Sequence, residues 1–129
     1  SGAKELLSFL KENGYKVALA TATPPQRAER YLKAHDLYKY FDVTVSASMV
    51  SVGKPAPDIY LKAAEMLGLS PQNCVALEDS PNGIKSASSA GCVTVMVPDL
   101  DKPSNDIIPL LHDVANGLSD VKRILRELE

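Results

Sequence analysis

Apolar positions along the chain fall into two rhythms. Ala3, Leu6, Leu7 and Leu10 recur at helical spacing ahead of Gly14, which predicts a helix over 3–13 that stops at a glycine. Val17-Ala18-Leu19-Ala20-Thr21 is instead an unbroken run of small apolar residues, too short for a helix and suited to a strand covered on both faces. The alternation continues from there. Thr23-Pro24-Pro25 reads as a cap followed by helix-starting prolines, leading into a helix with Ala28, Tyr31 and Leu32 on one side. Val43-Thr44-Val45 is a second short strand, Gly53-Lys54-Pro55-Ala56-Pro57 a stiff loop, and residues 57–67 a helix ended by Gly68. Residues 74–77 form a third apolar strand, Ser80-Pro81 caps and opens a helix that ends at Gly91, and residues 93–97 form a fourth strand. Beyond them lie a loop at 98–103 and a short helix at 106–115 interrupted by Pro109. A terminal helix at 118–128 carries Val121, Ile124, Leu125 and Leu128 on one stripe.

Strands alternating with helices predict an α/β fold, a parallel sheet with helices on both faces. At 129 residues the chain is expected to be one domain, 1–129. A net charge of -2 argues against nucleic acid or an anionic membrane held by bulk electrostatics. The five tyrosines are scattered rather than interleaved with basic residues, which also argues against base stacking. No apolar run approaches membrane-spanning length, and the opening residues lack the pattern of a signal peptide. Cys74 and Cys92 fall inside apolar runs and read as small buried hydrophobes, which suits a reducing cytoplasm.

Candidate chemistry gathers where strands end. Glu78 and Asp79 follow the third strand, at the carboxyl edge where open α/β sheets bind ligands. Two adjacent carboxylates repel unless protons or a cation intervene, and a hard oxygen-preferring ion such as Mg²⁺ fits them. By itself an adjacent Glu-Asp pair is more often a solvated turn, Thr21 a strand end, and Lys54 a solvated charge. Their order along the chain is more specific. Thr21 can donate its hydroxyl to a phosphate oxygen, with the Ala22 backbone N–H beside it at the mouth of the following helix. Lys54 can offset phosphate charge, and a cation on Glu78 and Asp79 lowers the cost of gathering negative charge. His35 and His112 lie in predicted helices without neighbouring ligand residues and carry no such signal.

This order resembles the haloacid dehalogenase superfamily, in the branch of β-phosphoglucomutase and the phosphoglycolate-type phosphatases. VALATATP is similar to the family's second motif, GKPAPDIY to its third and ALEDSPNGI to its fourth. The resemblance implies an incomplete Rossmann-like three-layer core. It also implies Thr21 as phosphate-binding hydroxyl, Lys54 as charge-balancing lysine, and Glu78 and Asp79 as ligands to Mg²⁺. The implied function is a Mg²⁺-dependent phosphohydrolase or phosphomutase acting on small phosphorylated metabolites, sugar phosphates foremost, through an aspartyl-phosphate. A non-catalytic receiver-like module is the rival reading, but in receivers the acids precede the threonine and lysine.

The family's first motif, an aspartate nucleophile with a second aspartate two residues on, does not precede Thr21. Asp99-Leu100-Asp101 has the right letters in the wrong context, between Pro98 and Lys102-Pro103, and reads as a polar turn. A cap domain is also missing from the pattern. The chain therefore reads as a C-terminal portion whose partner is an N-terminal segment of the parent protein, and alone it is expected to be inactive. The family's missing strand belongs between the Thr21 strand and the Cys74 strand, so these two are expected not to pair.

Overall fold

The structure is a computed structural model that describes residues 2–97, 110–111, 113–115 and 118–129. Its elements run α1 (Gly2–Glu12), β1 (Ala18–Thr21), α2 (Pro25–Ala34), β2 (Val43–Ser46), α3 (Asp58–Leu67), β3 (Val75–Glu78), α4 (Pro81–Ala90), β4 (Val93–Met96), β5 (Asp113–Val114) and α5 (Leu118–Leu128). The α/β alternation is as the sequence predicts. Both α3 and α4 end on a left-handed glycine, Gly68 at φ 74° and Gly91 at φ 94°, a conformation that side chains with a Cβ disfavour. Ser80 caps α4, its Oγ accepting from the Gly83 N–H at 3.1 Å, and Pro81 fills the first turn where its missing N–H costs nothing.

Three expectations need correction. Pro24, not Thr23, is the N-cap of α2, and no side chain caps that helix. The Thr23 N–H is turned back to Thr21 instead, so Thr23 belongs to the strand-end turn. Ala28 and Leu32 are buried on α2, whereas Tyr31 is 59% exposed and lies against His35. Asp113 and Val114, expected at the end of a helix, pair with Val95 and Met96 as parallel strand β5. Backbone partners offered by the open edge of β4 outweigh the local helical pattern there. The rest of that expected helix, with Pro109 and His112, and the Asp99–Asp101 turn lie outside the described residues.

Among the described residues the strands form two parallel sheets, β1-β2 and β3-β4-β5. Thr21 stands opposite Ser46 in the first, and Glu78 opposite Met96 in the second. β1 and β3 do not pair with each other, as the missing-strand pattern predicts. Along β4 the side chains alternate between layers. Val95 joins the apolar cluster of α5, with Val121, Ile124 and Leu125, onto which Leu6, Phe9 and Leu10 of α1 also pack. Met96 packs on Ile84 of α4. Helices thus cover both faces of the second sheet. In the first sheet, Val45 packs with Ile59 and Ala63 of α3, and Ala18 and Ala20 of β1 lie against them.

Between the sheets runs a cavity of about 810 Å³, flanked by β1 on one side and β3 on the other. Leu6, Leu7 and Leu10 of α1 contribute to its lining from one helical layer, and Ala63, Ala64 and Leu67 of α3 from the other. It is a slot with two strand edges as walls and two apolar helices above and below.

Candidate functional site

The site is built at the mouth of this slot, from the ends of β1 and β3 and the loop before α3. Beyond β1 the chain turns at Thr21, Ala22 and Thr23, where the Thr23 N–H donates to Thr21 Oγ1 at 3.1 Å. With its oxygen accepting there, the Thr21 hydroxyl hydrogen is left to donate elsewhere. Ser46, only 1% exposed at the end of β2, donates its Oγ–H to the Thr23 carbonyl at 3.1 Å and pins the turn from the neighbouring strand. Ala22 is exposed between these two anchored residues.

Lys54 sits on the loop between β2 and α3, followed by a cis peptide to Pro55. The loop is held at two points. The Val52 N–H donates to Asp58 Oδ2 at 3.3 Å, and Ser86 Oγ, fully buried on α4, donates to the Ala56 carbonyl at 2.7 Å. From there Lys54 Nζ reaches Glu78 Oε2 at 2.8 Å and passes 5.5 Å from the centre of the Tyr60 ring. The Tyr60 hydroxyl donates to the same Glu78 oxygen. Burial, and next the Glu78 charge, push the Tyr60 phenol well above its ordinary value, so it stays protonated as a donor.

Glu78 and Asp79 are adjacent but in opposite circumstances. Glu78 is 9% exposed and tied to Lys54 and Tyr60. Asp79 is exposed, and among the described residues its carboxylate has no hydrogen-bond or ion-pair partner. Glu78 also lies against the first turn of α4, so close that a Cβ on Gly83 would overlap its carboxylate. All five predicted site residues, Thr21, Ala22, Lys54, Glu78 and Asp79, line the one cavity.

That set suits a phosphate group with a hard cation: a free hydroxyl hydrogen, an ammonium, and two carboxylates offering oxygen ligands. Glu78 Oε1 accepts from no donor among the described residues, and the Asp79 carboxylate is unbonded there. These oxygens would fit Mg²⁺, which keeps several waters and takes only one or two carboxylates from a protein. No group of three or more His, Cys, Asp or Glu is gathered for a metal among the described residues.

Sequence reasoning did not single out Tyr60, Ser46 or Ser86. Tyr60 follows Pro57 by three residues, which puts it on the first turn of α3 beside Lys54, a spacing that could have flagged it. Ser86 carries no local signal, because it bonds a carbonyl remote in sequence, and the local signal of Ser46 is only that of a cap for the turn at 47–49, its bond to the Thr23 carbonyl being equally remote.

Residues 1–91 match the family of haloacid dehalogenase-like hydrolases. The chain belongs to the haloacid dehalogenase-like hydrolases. Among curated relatives of this family is the phosphorylated carbohydrates phosphatase of Thermotoga maritima, 47% identical over 124 residues, covering 96% of this chain and 50% of the relative. Hexitol phosphatase B of Escherichia coli K12 is 39% identical over 113 residues, covering 88% and 50%. The crystal structure of β-phosphoglucomutase from Clostridium difficile superposes with a TM-score of 0.82 at 28% identity, covering 98% of this chain and 54% of that one. A haloacid dehalogenase phosphatase from Thermococcus onnurineus gives a TM-score of 0.85 at 27% identity, covering 96% and 56%. The chain spans about half the length of the curated relatives it matches.

Proposed function

We propose that the protein to which this chain belongs is a Mg²⁺-dependent phosphohydrolase or phosphomutase of small phosphorylated metabolites, sugar phosphates foremost, working in the cytoplasm. The observation that carries the reading is the convergence of Thr21, Lys54, Glu78 and Asp79 on one cavity mouth. Thr21 donates its hydroxyl hydrogen to a phosphate oxygen, the Ala22 N–H lies beside it, and Lys54 balances the charge that accumulates as phosphate meets an anionic nucleophile. Glu78 and Asp79 would hold the cation, which would supply further charge neutralisation.

The nucleophile, an aspartate forming an aspartyl-phosphate, comes from a strand of the parent protein that fills the slot between β1 and β3. Two features of the slot support such an occupant. Its walls are strand edges that do not pair with each other, and its upper and lower surfaces are apolar helices, so a strand apolar on both faces satisfies both. By this reading the 129-residue chain releases no phosphate alone.

The test is to splice this chain into the Thermotoga maritima relative in place of the segment it matches, then assay phosphate release from a panel of sugar phosphates with and without Mg²⁺. Release by the spliced protein, dependent on Mg²⁺ and absent from the chain alone, is expected. Thr21→Ala and Lys54→Met should each lower kcat/KM by about 100-fold, the scale of a lost transition-state donor. A folded spliced protein without turnover, or turnover indifferent to both substitutions, would defeat the reading.

A further inference from the structure

Glu78 offers two carboxylate oxygens, and the structure treats them differently. Lys54 Nζ and the Tyr60 hydroxyl both meet Oε2, while Oε1 has no donor among the described residues. On the opposite side the carboxylate rests against Gly83, where a Cβ would overlap Oε1, Cδ and Oε2 alike. A glutamate side chain left alone samples several staggered rotamers. Here donors reach it from α3 and the loop before α3, and bare backbone closes it in from α4. The Tyr60 ring also lies beside the Lys54 ammonium, so one residue touches both members of the pair.

We propose that Tyr60 and Gly83 are positioning residues that fix the Glu78 carboxylate, committing Oε2 to Lys54 and keeping Oε1 open to a divalent cation shared with Asp79. The proposal rests on the cation site described above and adds the residues that orient it. Tyr60 does so by donating one hydrogen bond without adding charge, and Gly83 by having no side chain. Partners one step removed from a metal, when lost, typically weaken binding by 10- to 100-fold, which sets the expected size of the effect.

The test uses Mn²⁺ as a spectroscopic probe titrated into the spliced protein, in which the slot is filled, with the thermal midpoint measured in parallel. Tyr60→Phe, which keeps the ring, should weaken Mn²⁺ binding by about tenfold with a small change in thermal midpoint, and Gly83→Ala by at least as much. Both are repeated in a Glu78→Asp background, where the carboxylate is one methylene shorter and withdrawn from both neighbours. There each substitution should change affinity by less than about twofold, the signature of coupling through Glu78. Should Gly83→Ala not fold, Tyr60→Phe decides, measured alone and in combination with Glu78→Asp. Folded variants that bind Mn²⁺ like the unsubstituted spliced protein, or that lose the same factor in both backgrounds, would make Tyr60 and Gly83 ordinary packing residues. Separately, the absence of any Mn²⁺ binding that responds to Glu78→Gln or Asp79→Asn would remove the cation site itself, and this inference with it.

Discussion

Asp42 joins three parts of the chain. Its Oδ2 accepts from Lys11 Nζ at the end of α1 and from the Val17 N–H just before β1, each at 2.7 Å, while its own N–H donates to the Val17 carbonyl at 2.7 Å. The Lys11 hydrogen bond first, and the Val17 N–H second, hold the Asp42 carboxyl below the usual carboxylate range. Because the folded value lies below the unfolded one, the stabilisation is present above about pH 4 and is lost as pH falls through the lower folded value. The side chain is 39% exposed, so solvent screening limits the effect. Asp42→Asn should cost about 1 kcal/mol at pH 7, read as a lower urea midpoint, with the difference from the parent chain shrinking in acid. At this scale the sequence is most legible where chemistry is carried by residue type. Thr21, Lys54, Glu78 and Asp79 announce themselves as hydroxyl, ammonium and paired acids at strand ends. Asp42, Ser46 and Tyr60 do not, since each has meaning only through a partner that the fold brings near.

Elements were readable where their punctuation is strong. Gly68 and Gly91 end α3 and α4 as their positions imply, and Ser80-Pro81 opens α4. The α2 stripe misled at Tyr31, because an aromatic ring at helical spacing can rest on the helix surface against His35 as well as in a core. β5 was illegible for another reason: two residues hold no periodicity, and their strand character is supplied by the ladder of β4. Between elements, Ser86 on α4 is the tie to the Lys54 loop through the Ala56 carbonyl. Ser86→Ala would leave that carbonyl without its donor, at a cost of about 1–3 kcal/mol. A fall of several degrees in thermal midpoint, together with weaker phosphate binding in the spliced protein, is the expected result; an unchanged midpoint would mean that another donor replaces the serine.

At the largest scale, the governing fact is that the strands of the described residues form a sheet in two pieces. This was legible in advance only through a motif that did not appear before Thr21, since composition and periodicity look the same with the strand or without it. The slot should make the chain behave differently alone and when filled. Amide hydrogens on the edges of β1 and β3 that face the slot should exchange quickly in the 129-residue chain and slow by at least about 100-fold in the spliced protein, measured by mass spectrometry. Equal protection in both would show that the edges close on each other without help.

Lys54 and Tyr60 enter from the part of the chain that follows β2, and Glu78 from the end of β3, so their shared oxygen bridges the two sheets at the rim. Replacing Glu78 therefore removes the proposed ligand and a rivet in one stroke, and a dead Glu78 variant does not separate the two roles. Asp79, exposed and without a hydrogen-bond or ion-pair partner among the described residues, is the acid whose replacement leaves the joint intact, so its loss tests the proposed cation role apart from the architecture.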